Sequence, residues 1–197
     1  MRKNASSLAA DWLSAGSDLI TRMAFRSLRG QRVVLREYQV EDRETIVSWL
    51  GEAVASAGFS EPLQPPSGAQ LGPSAGDGQP PRGRLLVLVI ERVGESGPVG
   101  LLEGQLADRC LIVSFIAMAK AFRGWGYGSE AVRKVEEWLI NEGLARSFTT
   151  EVPARNGLGL YFWLRLGYRP ERPGEDSWRW AREPDRMRMV RHANEQR

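Results

Sequence analysis

Arg123-Gly-Trp-Gly-Tyr-Gly128 sets three glycines at alternate positions, between an apolar run ending at Met118 and the amphipathic stretch 129–141. Glycines turn the backbone tightly and bring bare N–H groups up to a ligand. A helix starting behind them adds unpaired first-turn N–H groups and the positive end of its dipole. The chemistry on offer is anion binding, at a phosphate or a pyrophosphate. A nucleoside-triphosphate P-loop needs Lys-[Ser/Thr] after its last glycine, and Ser129-Glu130 follows Gly128 instead. The dinucleotide pattern Gly-x-Gly-x-x-Gly fits poorly, because the third glycine comes one residue early and Ser129 holds its place. The acidic residue expected about 20 positions further on is nearest Glu142, inside the following helix. Arg-x-x-Gly-x-Gly is met in full by Arg123, Gly126 and Gly128. A tight strand-to-helix turn with no ligand uses the same glycines.

A second segment bears on the choice. Glu151-Val-Pro-Ala-Arg-Asn156-Gly-Leu-Gly-Leu-Tyr-Phe-Trp163-Leu-Arg-Leu-Gly167-Tyr168 reads as strand, Asn, helix and Gly-aromatic closure, one helix and one strand after the loop. Taken in order, the two motifs resemble the cofactor site of the GNAT superfamily of N-acetyltransferases, over about residues 31–191 and most specifically over 110–168. The resemblance implies acetyl-coenzyme A lying in a V-shaped split between the strand before the loop and the strand after the helix. Backbone groups of Ile116, Ala117 and Met118 would pair with the pantetheine arm as an added strand does. N–H groups of Arg123, Gly124, Trp125, Gly126, Tyr127, Gly128 and Ser129 would hold the pyrophosphate, and Asn156 would bond the pantetheine end. The implied reaction is acetyl transfer to a primary amine by direct attack in a ternary complex, with no metal and no covalent enzyme intermediate.

Such a reaction needs the amine in its neutral form. A Lys-like amine, pKa ~10.4, costs roughly 4 kcal/mol to deprotonate at neutral pH, and an α-amine near ~7.7–8 only about 1 kcal/mol. The resemblance places the base at Glu151, five residues before Asn156, acting directly or through one water. Glu103 and Glu61 are weaker candidates, and a solvated glutamate on a strand face is the plain alternative for Glu151. The family's general acid is a Tyr seven residues after the Asn, a position occupied here by Trp163. Indole donates a hydrogen bond but gives up no proton near neutral pH. Tyr161 lies about 200° round the helix from it. A thiolate leaving group can take its proton from water. Trp163 therefore reads as a wall, and it leaves standing the alternative of a non-catalytic acyl-coenzyme A-binding module on the same fold.

The elements that must position these residues follow from periodicity. Residues 32–38 are a β-branched first strand, and Glu41-Asp-Arg-Glu-Thr-Ile-Val-Ser-Trp-Leu50 is a helix with Ile46, Trp49 and Leu50 on one face. This opening is similar to that of acetyltransferases acting on ribosomal-protein N-termini and on aminoglycosides. Residues 85–91, 99–106 and 111–118 are strands whose short turns imply an antiparallel meander. A helix from Gly128 to Asn141 buries Ala131, Val135, Trp138 and Leu139 and stops at Gly143. Strand 147–152, helix 156–166 and strands after Tyr168 and near 187–190 complete an α+β fold, a mixed and mostly antiparallel sheet flanked by helices.

Residues 1–30 form an extension with Leu8, Trp12, Leu19 and Met23 at helical spacing, and residues 31–197 form the acetyltransferase domain. Within it, residues 61–83 are a Pro/Gly-rich loop, read as a substrate lid or an insertion. The 197 residues, 42% hydrophobic and 26% charged, suit one ordinary domain. A net charge of +3 with no basic–aromatic run gives no case for nucleic acid. One Cys and one His, Cys110 and His192, exclude a disulfide framework and a Cys/His zinc site. No apolar run reaches ~20 residues, and the extension lacks a secretory core, so no membrane span and a cytoplasmic location are expected. A homodimer is left open.

Overall fold

The computed structural model describes residues 27–56, 84–171 and 186–193. Most expected elements are present with boundaries moved by one or two residues. In chain order they are β1 (Leu28–Arg29), β2 (Val33–Glu37), α1 (Arg43–Ser56), β3 (Arg84–Arg92), β4 (Pro98–Ala107) and β5 (Cys110–Met118). Then come α2 (Tyr127–Asn141), β6 (Ser147–Pro153), α3 (Gly157–Arg165), β7 (Arg169–Pro170) and β8 (Arg186–His192). The periodic helix of the extension, Glu61 and the 61–83 loop lie outside the described residues.

The strands form one sheet in the order β1-β2-β3-β4-β5-β6-β8-β7. Neighbours are antiparallel except β5 and β6, which run parallel and are joined through α2, the crossover that parallel strands require. The β4–β5 turn has two residues, Asp108 and Arg109, both at positive φ, as a tight hairpin of this hand demands.

Two apolar clusters cover the two faces. Leu88, Ile90, Leu102, Leu111 and Val113 pack with Ala131, Val135 and Leu139 of α2 and Trp163 of α3. Val87, Val89, Leu101 and Phe115 pack on the other face with Ile46 and Leu50 of α1. Each fully buried aliphatic side chain stabilises by roughly 1.5–3 kcal/mol, so the sheet is held firmly from both sides. Helix α1 runs on past Leu50, because Gly51 is followed by Glu-Ala-Val-Ala, which favours helix more than one glycine opposes it.

Val113 belongs to the first cluster and Phe115 to the second, although alternate residues of a strand should share a face. The cause is a β-bulge: Glu103 pairs with Phe115 but Gly104 with Val113, leaving Ser114 extra. Opposite it, a Cβ on Gly104 would stand 2.8 Å from the Ile112 carbonyl, so the close approach of β4 and β5 requires glycine there. The bulge directs Ile116 and Met118 toward the α2 side.

Candidate acyl-donor and acceptor site

Pairing between β5 and β6 stops at Val113–Thr150, one residue before the bulge. Beyond it β5 stays with β4 as far as Met118–Gly100, and β6 stays with β8 as far as Pro153–Arg186. The two strands part because each follows its own outer neighbour. The gap is the V-shaped split expected between them, and it opens into a cavity of about 500 Å³. Its walls are residues 114–118 of β5, residues 150–153 of β6, Phe162 and Trp163 of α3, and Ala53 and Ser56 at the end of α1. The inner edge of β5 from Ile116 to Met118 thus lacks a strand partner among the described residues.

The glycine loop closes one end. A 3₁₀ turn, Lys120–Phe122, leads from β5 into Arg123. Gly124 and Gly126 then take φ of 80° and 81°, left-handed values that a side chain would strain. Gly126 is the N-cap of α2, with no side-chain cap, and the first intrahelical bond is from the Glu130 N–H to the Gly126 carbonyl. The N–H groups of Tyr127, Gly128 and Ser129 therefore precede the helical ladder, and these residues line the cavity with Gly124 and Gly126. Arg123 is anchored: its Nε donates to the Met118 carbonyl at 2.9 Å, and Nη1 and Nη2 reach Glu52 at 3.1 and 2.6 Å. The guanidinium ties the loop to α1, and the Arg123 N–H is itself given to the Lys120 carbonyl at 3.3 Å. Trp125 is exposed on the outer side.

Asn156 lines the opposite side and caps α3, its Oδ1 accepting the Gly159 N–H at 2.9 Å. That bond leaves the amide NH₂ as the donor it can present to a ligand. Glu151 is an exposed residue of the cavity wall, across the ladder from Arg188 of β8. Glu103 does not line the cavity; it lies between Val87 and Phe115, and burial pushes its carboxyl above the ordinary range. Trp163 is 4% exposed, edge-on to Phe162 at 5.1 Å and to Tyr168 at 4.7 Å. It is core and cavity wall at once. Tyr161 is exposed and also lines the cavity, with the Arg165 guanidinium 5.8 Å from its ring centroid. Among the described residues no cluster of three or more His, Cys, Asp or Glu could hold a metal, and no helix is long and apolar enough to cross a membrane.

The arrangement offers an apolar slot for an amide-bearing chain, an array of N–H groups for a diphosphate, and one carboxylate at the rim. Sequence reading missed Glu52 and Arg32 as partners of the loop. No signal in the sequence pointed to them, because an acidic residue in the first turn of α2, Glu130, already suits the helix dipole.

The family model described as "Acetyltransferase (GNAT) family" matches residues 59–168. No curated protein sequence matches the chain. Among solved structures, the acetyltransferase from Agrobacterium tumefaciens superposes with a TM-score of 0.64 at 17% identity, covering 86% of this chain and 96% of that one. The PaiA N-acetyltransferase from Thermoplasma acidophilum, in complex with coenzyme A, gives 0.58 at 12% identity, covering 81% and 98%. RimL, a ribosomal L7/L12 alpha-N-protein acetyltransferase, gives 0.56 at 11% identity, covering 85% and 98%. At such identities the likeness is one of fold; the family match over more than half the chain goes further. This chain belongs to the GNAT family of acetyltransferases.

Proposed function

We propose that the protein transfers an acetyl group from acetyl-coenzyme A to a primary amine, by direct attack of the amine on the thioester in a ternary complex. The observation that carries this reading is the junction of the β5–β6 split with the unpaired N–H groups of α2. A strand edge meets a helix N-terminus there, which suits a ligand with amides at one end and a diphosphate at the other. In this reading the edge formed by Ile116, Ala117 and Met118 pairs with the pantetheine. N–H groups of residues 124–129 hold the pyrophosphate, the Arg123 N–H being already given to the Lys120 carbonyl, and the Asn156 amide donates to the pantetheine end.

The amine approaches from the side of α1 and Glu151. Glu151 takes a proton from the ammonium, directly or through water, and the neutral amine then attacks the thioester carbonyl, its nitrogen giving up a second proton to solvent on the way to the amide. The tetrahedral centre then expels the coenzyme A thiolate, which is protonated by solvent, so no general acid is required of Trp163. The acceptor is a protein N-terminus or a small-molecule amine. RimL's described activity is a precedent for the former on this fold.

One observation favours a second reading, a binding module without catalysis: the buried indole of Trp163 supplies no proton. The test has two parts. Saturating acetyl-coenzyme A at about 100 times Kd should stabilise the fold by about 2.7 kcal/mol, seen as a rise in melting temperature. The absence of any shift at millimolar ligand sinks both readings. Thiol release with a panel of α-amines and alkylamines then separates them; a bound donor with no acceptor-dependent release leaves the binding module.

A further inference from the structure

The glycine loop is held from outside by the turn between β1 and β2. The Arg32 backbone N–H donates to Glu130 Oε1 at 2.8 Å, and its Nε donates to Glu130 Oε2 at 2.9 Å. Its Nη1 donates to the Trp125 carbonyl at 2.8 Å, and the guanidinium stands 5.6 Å from the Tyr127 ring centroid. The Gln31 backbone N–H also bonds the Glu130 carboxylate. Gly30 makes the room, since a Cβ there would lie 2.4 Å from Glu130 Oε1. Gly30-Gln31-Arg32 thus closes around one carboxylate and reaches the carbonyl just before the N-cap. All three residues precede the segment matched by the family model, 59–168.

Two physical needs meet at this contact. A loop with three alternate glycines has much backbone freedom to lose, and each degree lost on binding weakens the complex. Fixing the Trp125 carbonyl and stacking on Tyr127 removes that freedom on both sides of Gly126. The second need is electrostatic. Glu130 sits in the first turn of the helix whose N-terminus must receive an anion, and a bare carboxylate there opposes a second negative charge. Arg32 neutralises it and draws it toward the β1–β2 turn.

We propose that Arg32 is a positioning residue for the acyl donor, holding the Gly124–Gly128 loop, with Gly30 and Glu130, in the form that binds the coenzyme A pyrophosphate. The inference rests on the donor reading of the loop given above.

Calorimetric titration with coenzyme A tests it, together with steady-state kinetics. Arg32→Ala should weaken coenzyme A on the order of ten-fold, the scale of one lost charge-assisted hydrogen bond. The KM for acetyl-coenzyme A should rise in step, while kcat and the acceptor KM stay near wild type. Arg32→Lys should recover part of the affinity only, because an ammonium neutralises Glu130 but cannot span the carboxylate and the carbonyl together. Gly30→Ala should shift affinity in the same direction as Arg32→Ala, by displacing the flexible Glu130 carboxylate, and it serves should Arg32→Ala fail to fold. Wild-type affinity in both variants overturns the proposal, as does a loss confined to kcat or to the acceptor KM. Failure of the wild-type protein itself to bind coenzyme A overturns the donor reading and this inference with it.

Discussion

Glu151 and Glu103 lie on the same face of the sheet, away from α2 and α3, in unlike surroundings. Glu151 is solvated at the rim of the split, where an incoming ammonium can reach it. As a base it matters in proportion to the proton's hold on the amine. Glu151→Gln should lower kcat/KM by about 10²-fold for Lys-like amines and much less for α-amines. A pH–rate profile unchanged by the substitution would remove Glu151 from that role. Glu103 is half-buried beside Phe115 with no hydrogen-bond partner among the described residues, and this partial burial raises its carboxyl. The native state then holds that proton more tightly than the unfolded chain does. Its contribution to stability is full below the ordinary carboxyl range and is lost as pH rises through the raised native value. Glu103→Gln should therefore be more stable than wild type at neutral pH, with the two converging in acid. Urea midpoints measured across that range decide it, and parallel curves would show that the charge is not felt there.

Helix α1 walls the cavity with Ala53 and Ser56, and an ionic junction stands at its start. Arg36 of β2 donates to both Asp42 oxygens at 2.7 Å and to Glu91 of β3 at 2.8 and 2.9 Å. Asp42 also accepts the Gln39 N–H at 2.8 Å. Desolvation pushes the Asp42 carboxyl up, but the Arg36 and Gln39 hydrogen bonds outweigh it and hold it below the ordinary range. Stability from Asp42 is thus present above the unfolded carboxyl value and lost as pH falls through the lower native one. Asp42→Asn should cost about 2–3 kcal/mol, under the full cost of breaking a buried pair because the Arg36 side chain keeps 28% exposure. It should also flatten the acid limb of the stability profile; an acid limb as steep as wild type counts against the assignment. Strand and helix identities on this side were legible in the apolar runs and short turn within residues 85–106 and in the spacing of Ile46 and Leu50. The Ser114 bulge was not. Ser between Val and Phe reads as ordinary alternation, and only pairing with Gly104 reveals the extra residue. The two-residue strand β1 is likewise too short to carry a period. The glycine loop was legible because glycine is required by backbone geometry, whereas its anchors Arg32 and Glu52 come from segments brought near only by folding.

Across the whole molecule one buried cluster joins the parts that wall the cavity. Glu136 of α2, 1% exposed, accepts the Tyr168 hydroxyl at 2.8 Å and a bond from Arg191 of β8. Tyr168, fully buried, follows α3 and stacks edge-on against Trp163, so the cluster links the helix behind the donor loop to the α3 wall. Burial first, then the adjacent Glu136 carboxylate, holds the Tyr168 phenol well above its ordinary range, so it remains a donor. Removing either partner leaves Glu136 buried, but the two losses differ in kind. Tyr168→Phe deletes a hydrogen bond to a charged group and should cost about 1.5–3 kcal/mol. Arg191→Met removes a cation from beside a buried carboxylate and should cost about 3–5 kcal/mol at neutral pH. Urea denaturation of the two variants at neutral pH reads this directly. A Tyr168→Phe cost above that of Arg191→Met would mean that the phenol's hydrogen bond, and not the ion pair, fixes α2 to the β6–β8 part of the sheet.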